Sequence, residues 1–133
     1  MRLEPINPQS LGAPSGYSNG MLSEPGGRLL FLAGQVGRDG QQGIVGEGFA
    51  AQFRQALENL VSVVRAAGGE PAHIGSLTIF VTDRGQYLSD LDGVGEGYRA
   101  VMGRHFPAMA LVEVSGLVEA GAVVEVQGLA VVP

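Results

Sequence analysis

The sequence predicts an α+β fold, a mixed sheet with two helices packed on one of its faces. Three observations lead there. Two long segments, Phe49 to Ala67 and Tyr87 to Met102, repeat apolar residues at helical spacing. Short runs rich in branched and aliphatic residues lie before, between and after them. The resulting order, β-β-(β)-α-β-α-β-β, puts apolar strands at both ends, and two helices of similar amphipathicity fit on one sheet face. With 133 residues, 45% hydrophobic and 16% charged, the chain is expected to form a single domain over residues 1–133 around its own core.

Residues 1–16, rich in Pro, Ser, Gly and Asn, read as an irregular lead-in. Tyr17 to Leu22 reads as a short strand, and Glu24-Pro25-Gly26-Gly27 as a turn that joins it to a strand at Arg28 to Ala33, giving an N-terminal hairpin. Gly34 to Gly46 is a glycine-rich loop with room for one more short strand. From Glu47 the period changes. Phe49, Phe53, Ala56, Leu57, Leu60, Val64 and Ala67 share one helical face, with Gln52, Arg54, Gln55, Glu58 and Arg65 elsewhere on the wheel, and Gly68-Gly69 supplies the stop. Ile74 to Val81 is the next strand. Thr82-Asp83 leads into the second helix, which Gly93, Gly95 and Gly97 weaken intrinsically by about 1 kcal/mol each relative to alanine, so packing must hold it. Two β-rich runs follow, Phe106 to Val114 and Val123 to Val132, each with a carboxylate (Glu113, Glu125) among branched apolar residues. The helix-free sheet face needs a cover, and self-association supplies one.

Composition narrows the chemistry. Without cysteine there is no disulfide framework, thiol nucleophile or cysteine-bound zinc. All eight basic residues are arginine, which removes a lysine Schiff base and the lysine of a P-loop. His73 and His105 lie far apart, so no metal centre is expected, and no cofactor is implied: Gly93-x-Gly95-x-Gly97 falls inside a helical pattern instead of following a strand. A formal charge of −5 argues against a broad phosphate-binding surface, and nucleic acid is not favoured as a partner. No apolar run approaches the roughly 20 residues of a membrane span, and residues 1–8 lack the apolar stretch of a secretory signal. The expectation is a cytoplasmic protein with a small-molecule ligand and no membrane partner.

Glu125 stands first among the candidate residues. It shares a strand face with Val123, Gln127, Leu129 and Val131. A carboxylate on a solvent or interface face is the commoner use of such a glutamate; the functional use is to orient a water or exchange protons with a ligand. For Glu113 the structural use is favoured. Gly34-Gln35, after a strand, would let a ligand approach the backbone, although an ordinary turn reads the same way. Tyr17 offers a phenol to a pocket or a side chain to the core. His105 is expected at a helix C-terminus, and Ser18, Ser76 and Ser115 lack a histidine–acid partner at motif spacing.

Taken in order, several short motifs resemble the RidA/YjgF family, known by an older label as L-PSP endoribonuclease-like proteins. Gly16-Tyr17-Ser18 is similar to its G-P-Y-S, Leu32-Ala33-Gly34-Gln35-Val36 to its S-G-Q element, and Gln55 to Leu60 with Ala66-Ala67-Gly68 to its first helix. Phe106-Pro107-Ala108 matches F-P-A-R up to its last residue, and Val124-Glu125-Val126 resembles the terminal V-E-I-E. The resemblance implies a chorismate-mutase-like fold, a homotrimer, and ligand sites in clefts between subunits, lined here by Tyr17, Gln35, Met109 and catalytic Glu125. In deaminating members the arginine after F-P-A holds the carboxylate of an enamine or imine, and the glutamate helps water attack it.

The departures bear on activity. Met109 stands in the place of that arginine, Ala33 replaces a hydroxyl residue, Gly95 a frequent asparagine and Gln127 the second glutamate. A thioether cannot grip a carboxylate with two charge-assisted hydrogen bonds. The expected function is therefore a family member that binds, or slowly hydrolyses, a small metabolite other than a simple imino acid. Behind it stands an enamine/imine deaminase using a substitute arginine, Arg38 or Arg104, and behind that an endoribonuclease or translation inhibitor.

Overall fold

Apolar alternation along the last strand sets the architecture. In the computed structural model, which describes residues 1–40, 43–46 and 48–133, the side chains of Val124, Val126, Ala130 and Val132 are buried while Gln127 and Leu129 stay exposed. One face of this strand belongs to the core and the other does not. In chain order the elements are β1 (Leu3–Ile6), β2 (Gly20–Ser23), β3 (Arg28–Val36), β4 (Arg38–Asp39), β5 (Gly43–Ile44), α1 (Phe49–Ala66), β6 (Ile74–Val81), α2 (Arg84–Leu88), α3 (Leu91–Met102), β7 (Ala108–Glu113) and β8 (Val124–Val132). The main sheet runs β3-β8-β6-β7, with β6 and β7 parallel and the other pairs antiparallel. It is the mixed sheet that the sequence predicts.

The first helical period becomes α1 without interruption. Phe53, Ala56, Leu57, Leu60, Val61 and Val64 bury one stripe against β3 and β8. The second long helix, α3, lies beside α1 on the same side of the sheet and adds Val94, Tyr98 and Met102 to the one core. Their crossing is close: a Cβ on Gly97 would stand 3.2 Å from the Cβ of Arg54. A glycine that costs helix propensity thus permits the packing that offsets it. Among the described residues no helix is long and apolar enough to cross a membrane.

Four local readings change. The lead-in contains β1, and β2 pairs with β1 instead of forming a hairpin with β3; Pro5 is compatible with such a short two-stranded edge. Gly34 and Gln35 lie inside β3, not in a loop after it. The second helical run divides, because Asp83 and Asp90 each accept a backbone hydrogen bond, from Gly85 N at 2.8 Å and Gly93 N at 3.1 Å, and so start two separate helices. Gln52 is 6% exposed. Its Nε2 donates to Gly121 O at 3.1 Å and its Oε1 accepts from Val123 N at 2.9 Å, tying α1 to the approach of β8. The segment after β3 does contain the small ladder of β4 and β5. Glu47, where the helical period was expected to begin, lies outside the described residues, as do Gln41 and Gln42.

The helix-free face carries a stripe of apolar side chains. Leu29 and Phe31 of β3 are 56% and 74% exposed. They stand opposite Val131 and Leu129 of β8 in the ladder.

Candidate functional site

Tyr17 reaches its position through the residue beside it. Ser18 is buried; its Oγ donates to Phe106 O at 2.6 Å and its backbone N donates to Pro107 O at 3.1 Å. These bonds fasten the Gly16-Tyr17-Ser18 segment to the entry of β7. Met109, the second residue of β7, pairs in register with Leu77 of β6, a core residue. Met109 and Leu111 therefore face the helix layer and pack against the edge of the core. Between β7, α2 and α3 lies a cavity of about 410 Å³, and Tyr17, Tyr87, Arg99, Phe106, Met109 and Leu111 are among the residues lining it. That volume falls within the range of small-molecule sites, and the lining is mainly apolar.

Tyr98 and Phe106 form one wall, stacked with centroids 5.4 Å apart at 7°. The Tyr98 hydroxyl donates to His105 O at 2.6 Å, and the His105 ring donates from Nε2 to Ile74 O at 2.7 Å. His73 Nδ1 accepts from Glu70 N at 2.8 Å, so both histidines serve the backbone. Burial pushes the Tyr98 phenol above its ordinary pKa. Above about pH 10 the unfolded chain releases this proton while the folded one retains it, so stability should fall by about 1.4 kcal/mol per pH unit. Urea midpoints measured at pH 9 and pH 11 check this: Tyr98→Phe should lose less stability over that interval than the parent protein.

Glu125 belongs to a different place. The β3–β8 register shifts between Leu32 and Gln35, leaving Ala33 and Gly34 in a bulge. The Glu125 side chain lies directly over Gly34: a Cβ there would come within 2.9 Å of Glu125 Cδ and nearer still to Oε2. Among the described residues Glu125 has no hydrogen-bond or ion-pair partner, and it lines a cavity of about 380 Å³ with Gln35, Arg38 and Asn59. Arg38 forms an ion pair with Glu119, while Asn59 Nδ2 donates to Val36 O at 3.0 Å and Arg38 O at 2.8 Å. Gln35 Nε2 lies 3.4 Å from Ala33 O.

Within one chain the four candidates thus divide two and two. Tyr17 and Met109 line the helix-side cavity, whereas Gln35 and Glu125 line the other. Glu113 caps α2 by accepting from Arg84 N at 2.9 Å, in keeping with the structural use favoured for it. Arg104, just beyond α3, lines neither cavity, and Arg38 is already paired. Sequence reasoning missed Arg99, one helical turn beyond Gly95, which lines the helix-side cavity. No group of three or more His, Asp or Glu among the described residues is placed to hold a metal ion.

Residues 8–132 match the sequence model of the family described as endoribonuclease L-PSP. The chain belongs to this family, RidA/YjgF. Family relatives include a human 2-iminobutanoate/2-iminopropanoate deaminase, 30% identical over 90% of this chain and 82% of its own length. A Salmonella typhimurium protein of the same name is 38% identical over 68% of this chain and 70% of its own. Among solved structures, a Rid-family protein of unknown function from Yersinia pestis superposes with a TM-score of 0.84 at 27% identity, covering 99% of this chain and all of its own. The E. coli protein TdcF, solved with serine bound, gives 0.68 at 29% identity over 92% of each chain. These neighbours share the α+β, chorismate-mutase-like fold that the motifs imply.

Proposed function

We propose that this protein is an enamine/imine deaminase-type hydrolase that works as a homotrimer, with its site between subunits and a substrate other than 2-iminopropanoate. One observation carries the reading. The Glu125 carboxylate, which has no partner among the described residues, lies on the helix-free face of the sheet, and the cavity lined by Tyr17 and Met109 opens on the helix side. A single copy cannot bring the two together, whereas a second copy docked on the apolar stripe of Leu29, Phe31 and Leu129 can. Burying large side chains of this kind contributes about 1.5–3 kcal/mol each.

In such a cleft Glu125 would take a proton from water as its oxygen forms a bond to the imine carbon. The C=N π pair would move to nitrogen, which takes that proton back, and the hydroxyl of the adduct would give its own proton to nitrogen as the C–N bond breaks, releasing ammonia and a carbonyl product. The family names of the relatives support this reaction class. Met109 supports the exclusion of 2-iminopropanoate: the β7 wall offers a three-carbon acid no charged partner, and a small carboxylate too short to reach a cation elsewhere in the cavity loses on the order of 2–5 kcal/mol of binding, or one to several decades.

Two measurements test the reading. Ammonia release from freshly generated 2-iminopropanoate should be slow in the parent protein and faster in Met109→Arg; a parent rate that Met109→Arg does not raise removes the argument from Met109. Tyr17→Ala and Glu125→Gln should each be nearly inactive on an imine that the parent protein hydrolyses. Reassembled together at equal amounts, they should recover roughly a quarter of parent activity if each site draws one residue from each of two copies. A mixture no more active than its components argues against the shared site.

A further inference from the structure

Seven of the eight arginines are accounted for elsewhere or stand away from the helix-side cavity; Arg99 alone lines it. Arg28 donates to Pro133 O and Ala67 O, and Arg38, Arg54 and Arg65 have carboxylate partners. Arg99 has no hydrogen-bond or ion-pair partner among the described residues, although a guanidinium offers five donors. Arg99 is exposed, so an anion can reach it from solvent, and a cation without a partner among the described residues at the wall of a mainly apolar cavity is positioned for an anion that is not part of this chain.

The conformation of Arg99 depends on Gly95. Helical side chains lean toward the N-terminus, so residue 99 covers the turn that holds residue 95. Gly95 lacks a side chain, and the guanidinium occupies that space: a Cβ at position 95 would lie 3.0 Å from Arg99 Nη1. An asparagine there would contest the place.

We infer that Arg99 is the carboxylate-gripping group of this cavity, and that the ligand is a monocarboxylate with an apolar body larger than a three-carbon acid. The carboxylate sits at the α3 wall, and the body lies along Phe106, Met109 and Leu111. A cavity of about 410 Å³ whose β7 wall carries Met109 and Leu111 suits a hydrocarbon tail at that end. This inference rests on the proposed function for the reacting end of the ligand, and stands without it for binding.

Calorimetric titration with 2-oxohexanoate and with its neutral primary amide tests the assignment without requiring turnover. The parent protein should bind the acid at least tenfold more tightly than the amide. Arg99→Gln should weaken acid binding roughly ten- to hundredfold and leave amide binding within twofold. Arg99→Lys should retain part of the preference, and Arg104→Gln all of it. Equal affinity of the parent protein for acid and amide, no binding of the acid at millimolar concentration, or acid binding by Arg99→Gln within twofold of the parent would each overturn the inference. If acid binding depends on Arg99 but no imine is hydrolysed, the proposed reaction falls and the assignment of Arg99 stands. Hydrolysis indifferent to Arg99 has the opposite meaning.

Discussion

Replacing Glu125 with glutamine should lower imine hydrolysis by roughly two to four orders of magnitude, the usual contribution of a positioned general base. Glutamine keeps the shape of the side chain and loses its ability to accept a proton. Because Glu125 has no partner among the described residues, the fold should survive the change. Gly34→Ala should act in the same direction, since its methyl would occupy the space of the Glu125 carboxylate and drive it off the bulge. Glu113→Gln gives the contrast: its carboxylate caps α2, so it should alter stability more than turnover. Ammonia release by the three variants decides the matter. A Glu125→Gln variant within threefold of the parent would mean that Glu125 does not carry the proton transfer.

Leu57→Ala should destabilise the protein by about 3–5 kcal/mol. Leu57 is completely buried on the stripe of α1 that packs against β3 and β8, where the surroundings are too well packed to collapse around a lost isobutyl group. Against the 5–15 kcal/mol typical of a domain, that is a large share. Urea unfolding at fixed protein concentration should show a lower midpoint with an unchanged slope. A loss below about 1 kcal/mol would contradict the packing of α1 on the sheet.

The long regular elements were legible because their periods extend over many residues. Along α1, β6 and β8 each apolar residue repeats the same statement about which side is inside. The β1–β2 pairing was not, since Leu3–Ile6 is short, contains a proline and buries little. Gln52 was misplaced because its polarity suggested solvent, when its amide instead satisfies the backbone at Gly121 and Val123. The sequence singled out Tyr17, Gln35, Met109 and Glu125 without the side of the sheet on which each lies. Only the strand order, with β6 between β7 and β8, determines that Met109 and Glu125 point opposite ways. Arg99 left one trace in the sequence, Gly95 four residues before it, which has no side chain to contest the same space. Four residues is one helical turn, and a vacancy at one position makes room for the other.

The central place of β8 also bears on how the chain reaches its native state. Arg28 at the start of β3 pairs with Val132, and β6 pairs with the other edge of the same strand. β3 has no neighbour in the sheet, and β6 lacks the second of its two, until every other strand and helix has been traversed, so loop closure over most of the chain precedes completion of the sheet. In the interval β3 presents Leu29, Leu30, Phe31 and Leu32 along an unpaired edge, a template for pairing with another chain. Folding yield should therefore depend on concentration well before any assembled species forms, with β8 acting as the latch that ends the period of risk.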